Sequence, residues 1–185
     1  AIVKTGISAI VTAYERLEQT LATLRVIQSC TPPPDEILVH VDANQRECEQ
    51  AIRNAFPSVR VLRSETQIGP GGGRNKLVTA AQSEFVASFD DDSYPIDSDY
   101  FARAATLFEQ FPEASVICAA LYQVGESIGL DERSAQWTAD FSGAACIYQR
   151  KAFLDAGGYV PLPVAYGMEE VDIAIRLHSS GGRIL

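Results

Sequence analysis

The sequence predicts an α/β fold in which a mostly parallel sheet is flanked by helices. Apolar, β-branched runs of the buried-strand type recur along the chain, and segments with apolar residues at helical spacing separate them. Strands that alternate with helices join through right-handed crossovers, which makes the strands parallel and covers both faces of the sheet. Unusual polar residues follow the predicted strands, where open α/β sheets bind ligands, and this supports the same class.

The alternation is clearest in the first part of the chain. The predicted strands there are 7–12, 36–42, 58–63, 84–89 and 114–121, and the predicted helices are 15–29, 46–55, 75–83 and 100–111. Asp97 or Ser98 is available as the N-cap of the last of these helices. Later the pattern loosens, with a strand at 143–149 and helices near 150–156 and 169–179. No repeat or linker is found, so residues 1–185 are predicted to form one domain.

Composition and charge limit the classes of partner. With 185 residues, of which 46% are hydrophobic and 21% charged, the chain is typical of a soluble globular domain. A formal net charge of -9 argues against a nonspecific nucleic-acid binder, which needs basic residues to neutralise phosphates. No apolar run approaches the roughly 18 to 20 residues of a membrane span. The four cysteines show neither zinc-site spacing nor a disulfide pattern, which predicts reduced thiols in a cytosolic protein.

Polar residues stand at the ends of three predicted strands. They are Thr12 and Tyr14 after the first strand, Asp42 and Asn44 after the second, and Asp90, Asp91 and Asp92 after the fourth. Because ligands bind outside the carboxyl ends of the strands in such sheets, one crevice is expected to hold all of them. A turn or cap role is the alternative for any single one, since Asp and Asn favour those positions.

The three consecutive aspartates predict a divalent cation. No basic residue separates them, and magnesium or manganese is usually held by one or two carboxylates together with substrate phosphates. Such an ion would also let an acidic protein bind an anionic substrate. The alternative is a capped, solvated loop, because "DS" and "YP" within "FDDDSYP" are turn sequences.

The glycine-rich segment "GPGGGRN" at 69–75 is a second candidate, predicted to be a loop before a helix. Its glycines allow close backbone approach, and Arg74 offers donors to a base carbonyl or a phosphate. The segment lacks the GxGxxG spacing of a dinucleotide-binding fingerprint, so it is weak evidence for NAD. A flexible connection with a solvated arginine is the alternative.

A second acidic cluster lies in "GMEEVDIAIRLH". Glu169 and Asp172 share one helix face and Glu170 points about 100° away, so the three carboxylates are not expected to share one task. The alternative is that acids in a first helical turn complement the helix dipole, and that Asp172 pairs with Arg176.

Taken in order, these segments resemble a known family. The resemblance rests on "IVTAYER", a strand ending in Asp42, "IGPGGGRN", "FDDDSYP", "SGAACIYQRKAFLDAGGY" and "GMEEVDIAIRL". Together they span nearly the whole chain and are similar to a family 2 glycosyltransferase with the GT-A fold, the Rossmann-like fold of nucleotide-diphospho-sugar transferases. Members typically transfer a sugar from a nucleotide-diphospho donor to an acceptor hydroxyl with inversion at the anomeric carbon.

The resemblance implies a role for each matching residue. Those that would contact the nucleotide or donor sugar are Thr12, Tyr14, Arg16, Asp42, Arg74, Asp90, Asp91, Gly143 and Ala144. Asp42 would hydrogen-bond the base, and Asp92, with Asp90 beside it, would ligate manganese or magnesium in the family's DxD element. The family's "ED" element falls on Glu169 and Glu170, which implies that Glu170 is the general base.

The sequence departs from the family's pattern at two positions. The second strand ends in "VDAN" where the family usually has Asp-Asp-Gly-Ser, so Asp42 lacks its usual neighbour. The base position holds glutamate rather than aspartate, which lengthens its reach by one methylene. A histidine that often completes the metal site would lie beyond Leu185, and the chain is interpreted as a C-terminally truncated fragment.

The resemblance also implies partners and a location. The partners are a nucleotide-sugar donor, with a UDP-sugar favoured, and a saccharide or lipid-linked acceptor as in polysaccharide biosynthesis. Residues 1–120 would form the nucleotide-binding half and 121–185 the acceptor and catalytic half. Trp137, Tyr159 and Tyr166 are candidates for sugar stacking, and the alternative is that they are core or boundary aromatics, as such residues more often are. The expected location is the cytoplasm or the cytoplasmic face of a membrane, reached only through segments outside this chain. The alternatives are a noncatalytic nucleotide-sugar-binding domain, a retaining transferase, or a nucleotidyltransferase.

Overall fold

Strands and helices alternate along the part of the chain that the computed structural model describes, residues 6–127, 134–161 and 168–185. The strands are β1 (Ile7–Ala13), β2 (Glu36–Val41), β3 (Arg60–Arg63), β4 (Phe85–Asp90), β5 (Ala114–Cys118), β6 (Ala145–Gln149) and β7 (Arg183–Ile184). The helices are α1 (Leu17–Ser29), α2 (Arg46–Ala55), α3 (Gly69–Ala80), α4 (Tyr100–Gln110), α5 (Arg150–Asp155) and α6 (Glu169–Ser179). The predicted alternation is confirmed, and most bounds differ from the predicted ones by a few residues.

The strands of the described residues form one seven-stranded sheet in the order β3-β2-β1-β4-β6-β5-β7. β1 pairs in parallel with β2 and β4, and β2 pairs in parallel with β3. β6 runs antiparallel to both of its neighbours, so the sheet is mixed but mostly parallel, as predicted. The chain passes from β1 to β2 and β3 on one side and then to β4 on the other. The carboxyl ends of β1 and β4 therefore lie at a topological switch point, where open sheets bind ligands.

A hydrophobic core covers each face of the sheet. On one face, α1 and α4 bury Leu24 and Phe101 against the strands. On the other, α3 and α6 bury Leu77 and Leu177. Because helices pack on both faces of the sheet, the strand ends hold the loops that follow them in place at the edge of the sheet.

The glycine-rich segment is helical, which corrects the predicted loop. α3 begins at Gly69, so Gly71 and Gly73 lie inside the helix. A β-carbon at Gly73 would stand 2.6 Å from His40 Nδ1, and one at Gly71 would collide with the Glu169 carboxylate. Glycine costs a helix about 1 kcal/mol relative to alanine, but only glycine lets α3 approach its neighbours this closely. The sequence shows the flexibility of these glycines and not the packing that requires them.

The start of α4 also differs from the prediction. Asp99 is the N-cap residue rather than Asp97 or Ser98, and it makes no side-chain cap hydrogen bond. The Asp97 carboxylate instead pairs with Arg103, one turn into the helix. Its backbone carbonyl still accepts the N–H of Tyr100, at 3.3 Å. The Asp97 carboxylate therefore pairs with Arg103, six positions away, instead of capping the helix.

The turn after β2 places two non-glycine residues in the left-handed region. Ala43 has a φ of 57° and Asn44 a φ of 58°. Asparagine tolerates this conformation, but alanine is strained there by about 1 kcal/mol. We therefore expect Ala43→Gly to raise the free energy of unfolding by about 0.5–1 kcal/mol in chemical denaturation. The matched control is Ala22→Gly in the exposed part of α1, which should lower it by a similar amount, and a loss in both variants would contradict the strain.

Candidate active site

The carboxyl ends of three strands carry neighbouring polar groups. Thr12 and Asp90 are partners in the β1–β4 register, and the Thr12 hydroxyl donates to Asp90 Oδ1 at 3.2 Å. One step further, the Tyr14 N–H donates to Asp91 Oδ2 at 3.3 Å. The Asp42 N–H donates to the last carbonyl of β1 at 3.1 Å, which brings the end of β2 to the same edge. One crevice thus holds residues from three strand ends.

Two arginines lie among the three aspartates. Arg16 Nη1 pairs with Asp92 and lies 3.5 Å from Asp91 Oδ1, and Arg74 Nη2 pairs with Asp90. The repulsion among the carboxylates is therefore offset by cations that lie 76 and 16 positions away in the chain. Burial raises the pKa of Asp91, and the backbone hydrogen bond that it accepts and the Arg16 charge act against that rise.

The aspartates suit a divalent cation only in an open site. Within the described ranges, no group of three His, Cys, Asp or Glu side chains is placed to hold a metal ion. One or two carboxylates suffice for such an ion when substrate phosphates and water supply its other ligands. The side chain of Asp92 is 53% exposed and that of Asp90 36%, so both carboxylates reach solvent. The donor set would fit an ion that arrives with a diphosphate, and Asp92 is the more exposed of the two carboxylates.

The Asp42 carboxylate caps the N-terminus of α3. Its Oδ1 accepts the N–H of Ala43 and the N–H of Ile68, both at 3.0 Å, and its Oδ2 accepts the N–H of Gly69 at 2.9 Å. A helix N-terminus leaves such N–H groups without partners inside the helix. The buried Asp42 carboxylate therefore stabilises the fold in addition to any contact with a base.

Replacing Asp42 with alanine is expected to lower the free energy of unfolding by about 2 kcal/mol, because the N–H groups of Ile68 and Gly69 would lose their acceptor. Chemical denaturation measures the change. Asp42→Asn keeps one side-chain oxygen and should lose less. An alanine variant as stable as the unmodified protein would exclude the capping role.

The second acidic cluster lies at the start of α6, which begins at Glu169. The Glu169 carboxylate packs against Gly71 of α3, and burial together with the neighbouring Glu170 charge raises its pKa. The Glu170 side chain is 20% exposed, and its Oε1 lies 3.9 Å from Arg74 Nη1. Arg74 thus lies between the first acidic group and the second.

The loop before β6 joins the two acidic groups. A β-carbon at Gly143 would stand 2.8 Å from both Arg74 Cζ and Glu170 Oε1, so the site requires glycine here. The Ser93 hydroxyl donates a hydrogen bond to the Ala144 carbonyl at 2.8 Å. The same hydroxyl oxygen accepts a hydrogen bond from the backbone N–H of Asp90, also at 2.8 Å. Protein atoms fill the space in front of Gly143, and Ser93 ties the loop to the first acidic group.

Comparison with known proteins identifies the family. The sequence profile described as glycosyl transferase family 2 matches residues 8–159. The chain belongs to this family. No curated protein sequence matches the chain.

Solved structures share the fold of this family 2 chain. They include the mannosyltransferase PcManGT from Pyrobaculum calidifontis in complex with GDP-Man and manganese, residues 1–349 of S. aureus TarS in complex with UDP-GlcNAc, and GalNAc-T7 with UDP, GalNAc and manganese. Their TM-scores are 0.79, 0.71 and 0.74, at identities of 19%, 19% and 14%. They cover 97%, 99% and 96% of this chain, which spans 53%, 56% and 41% of theirs. The expected GT-A fold is confirmed.

Sequence reasoning missed two serines in this family 2 site. Ser88, buried in β4, accepts a hydrogen bond from Arg74 Nε at 3.2 Å and donates one to the Gly143 carbonyl at 2.6 Å. The available signal was a serine inside the apolar run "EFVASF", where a buried hydroxyl needs a partner. Ser93, which ties Asp90 to the loop before β6, has the same local sequence as an ordinary turn residue.

Of the two aromatic candidates for sugar stacking that the structure describes, one is a core residue and the other packs beside β7. Tyr159 is 3% exposed and its hydroxyl hydrogen-bonds that of Tyr148 at 2.7 Å, so it is a core residue. Trp137 packs against Arg183, whose guanidinium carbon lies 3.5 Å from the ring centroid, beside β7. Tyr166 lies outside the described residues.

Other features of the family 2 domain lie away from the site. Asp172 accepts a hydrogen bond from Arg176 Nε at 3.1 Å, which agrees with the ion-pair interpretation of that carboxylate. The four cysteines are free thiols. Among the residues with a described structure, no helix has the length and apolar character to cross a membrane.

Proposed function

We propose that this family 2 domain belongs to an inverting glycosyltransferase that uses a divalent cation. It would move a sugar from a nucleotide-diphospho-sugar, with a UDP-sugar as the favoured donor, to the hydroxyl of a saccharide or lipid-linked acceptor. The observation that carries the proposal is the pair of acidic groups in one crevice, after β4 and at the start of α6, with Arg74 between them. Sugar transfer needs both groups, one for the cation of the diphosphate and one for the proton of the acceptor.

The donor is proposed to lie over the ends of β1, β2 and β4, in the half formed by residues 1–120. Tyr14 and Arg16 are exposed at this edge and would face the nucleotide, together with Thr12 and Asp42. A topological switch point is where such a ligand is expected. The complexes of similar structures with GDP-Man, UDP-GlcNAc and UDP support this class of donor.

The acceptor is proposed to be activated by Glu170 in the half formed by residues 121–185. As the acceptor oxygen attacks the anomeric carbon, its proton passes to the Glu170 carboxylate. The bond from that carbon to the diphosphate breaks on the opposite face, which inverts the centre. Asp92, with Asp90 beside it, would hold the cation, which when bound supplies positive charge to the departing diphosphate.

The free thiols and the net charge of the chain bear on the cellular compartment and on the class of partner. The free thiols of all four cysteines favour a reducing compartment, and we place the reaction in the cytoplasm. The net charge of -9 disfavours a nucleic-acid partner.

Titration calorimetry of the protein with UDP, with and without manganese, tests the proposal. We expect manganese to tighten UDP binding by about tenfold, because the ion would join the carboxylates to the diphosphate. Manganese-independent UDP binding together with no transfer from any UDP- or GDP-sugar would contradict the proposal. Binding without transfer would indicate a noncatalytic domain, a retained anomer would indicate a retaining transferase, and pyrophosphate release would indicate a nucleotidyltransferase.

A further inference from the structure

We propose that Arg74 is a positioning residue that holds Asp90 and Glu170 in a fixed relation from beneath the crevice, rather than a ligand of the nucleotide. The inference rests on the proposed function, in which Asp90 lies on the donor side and Glu170 takes the acceptor proton. It assigns the arginine a task that differs from the base or phosphate contact expected from its place in the sequence.

Burial and contacts separate Arg74 from the nucleotide. The residue is 2% exposed, whereas Arg16, the other arginine of the site, has a side chain that is 53% exposed. Its three nitrogens point to different protein groups: Nε donates to Ser88 Oγ at 3.2 Å, Nη2 pairs with Asp90, and Nη1 lies 3.9 Å from Glu170 Oε1. A phosphate would have to displace one of these groups to reach the guanidinium.

The charge balance around Arg74 gives it a specific task. Three carboxylates surround this one buried guanidinium: Asp90, Glu169 and Glu170. Without the Arg74 guanidinium, these carboxylates would repel one another in a half-buried site, where charges are weakly screened. Arg74 therefore keeps the two acidic groups close enough for one to act on the donor and the other on the acceptor.

The shape of arginine matters as well as its charge. A guanidinium presents its donors in a rigid, planar fork, so one side chain fixes the direction of two carboxylates. The site is built closely around this fork, because a β-carbon at Gly143 would stand 2.8 Å from both its Cζ and Glu170 Oε1. The Gly143 carbonyl is itself held by Ser88, which also accepts from Arg74. Lysine could supply the charge but not the fork.

Kinetics of Arg74→Met and Arg74→Lys test the proposal. We expect the methionine variant to lose about a hundredfold in kcat, the range of a mispositioned general base, with nucleotide Kd and donor KM changed by less than about threefold. We expect lysine to recover part of the loss.

Gly143→Ala is a second variant in case Arg74→Met does not fold. It retains both charges but inserts a methyl group between Arg74 and Glu170, so we expect kcat to fall with little change in nucleotide Kd. A loss of nucleotide affinity in Arg74→Met with an unchanged kcat would overturn the proposal and restore the ligand role. A lower melting temperature with unchanged kcat in the folded fraction would also overturn it.

Failure of the proposed function is a separate outcome. If the unmodified protein transfers no sugar, calorimetry of UDP binding still tests Arg74. A nucleotide Kd that stays within about threefold in Arg74→Met supports the positioning role, and a larger loss of affinity overturns it. Absent transfer contradicts only the enzymatic assignment.

Discussion

Replacing Glu170 with glutamine is expected to lower sugar transfer by about two to four orders of magnitude while nucleotide affinity stays within about twofold. A positioned general base contributes this range, and glutamine keeps the size of the side chain but cannot accept the proton. Although the side chain is only 20% exposed, glutamine has the same shape and can still contact Arg74, so the substitution should disturb the fold little. Initial rates with radiolabelled donor, combined with UDP calorimetry, measure both quantities.

Two variants of the same helix are the controls for Glu170. Asp172→Asn changes a carboxylate that pairs with Arg176 rather than facing the site, and should retain transfer. Glu169→Gln changes the carboxylate whose pKa is raised by burial and by the Glu170 charge. Transfer that survives in Glu170→Gln but is lost in Glu169→Gln would move the base by one residue.

Replacing Asp92 with asparagine should remove most of the gain in UDP affinity that manganese confers. Asparagine is neutral and is a weaker ligand for a hard cation than a carboxylate. An expected gain of about tenfold should shrink to less than about threefold, while binding without metal is retained. Calorimetry at matched ionic strength is the measurement, because Asp92 also pairs with Arg16 and that pair is screened by salt.

Asp97→Asn is the matched control for Asp92. Asp97 is likewise an exposed aspartate paired with an exposed arginine, Arg103, but it precedes α4 and lies outside the run of three. Its replacement should leave the manganese effect intact. An equal loss in both variants would mean that general surface charge, and not ligation by Asp92, produces the effect.

Much of the fold could be predicted because local patterns determine it. The apolar runs of β1, β2 and β4 identify buried strands, and the parallel order follows from the helices between them. The meeting of Thr12 with Asp90 then follows from the rule that carboxyl ends of parallel strands share an edge. The antiparallel β6 was not predicted, because strand direction after a long irregular segment leaves no periodic signal.

The charge partners of the site could not be predicted, because they depend on distances across the fold. Arg16 and Arg74 are far in sequence from the aspartates they pair with, so the sequence alone predicts that the run of aspartates needs a cation from outside the chain. Similarly, Asp42 proved to cap α3, which was not expected to begin at Gly69. The sequence places the acids together at the start of α6. It does not show that Glu170 lies beside Arg74 whereas Glu169 packs against Gly71.

The helical glycines of α3 have a consequence for the order of folding. Three consecutive glycines, Gly71 to Gly73, reduce the helix's own stability by about 3 kcal/mol relative to alanines, so α3 gains little from forming alone. Its stability comes from docking on the sheet beside His40 and from the N–H groups that Asp42 accepts. α3 should therefore form after β1 and β2 have paired. Arg74, which α3 carries, would reach the two acidic groups only in that late step.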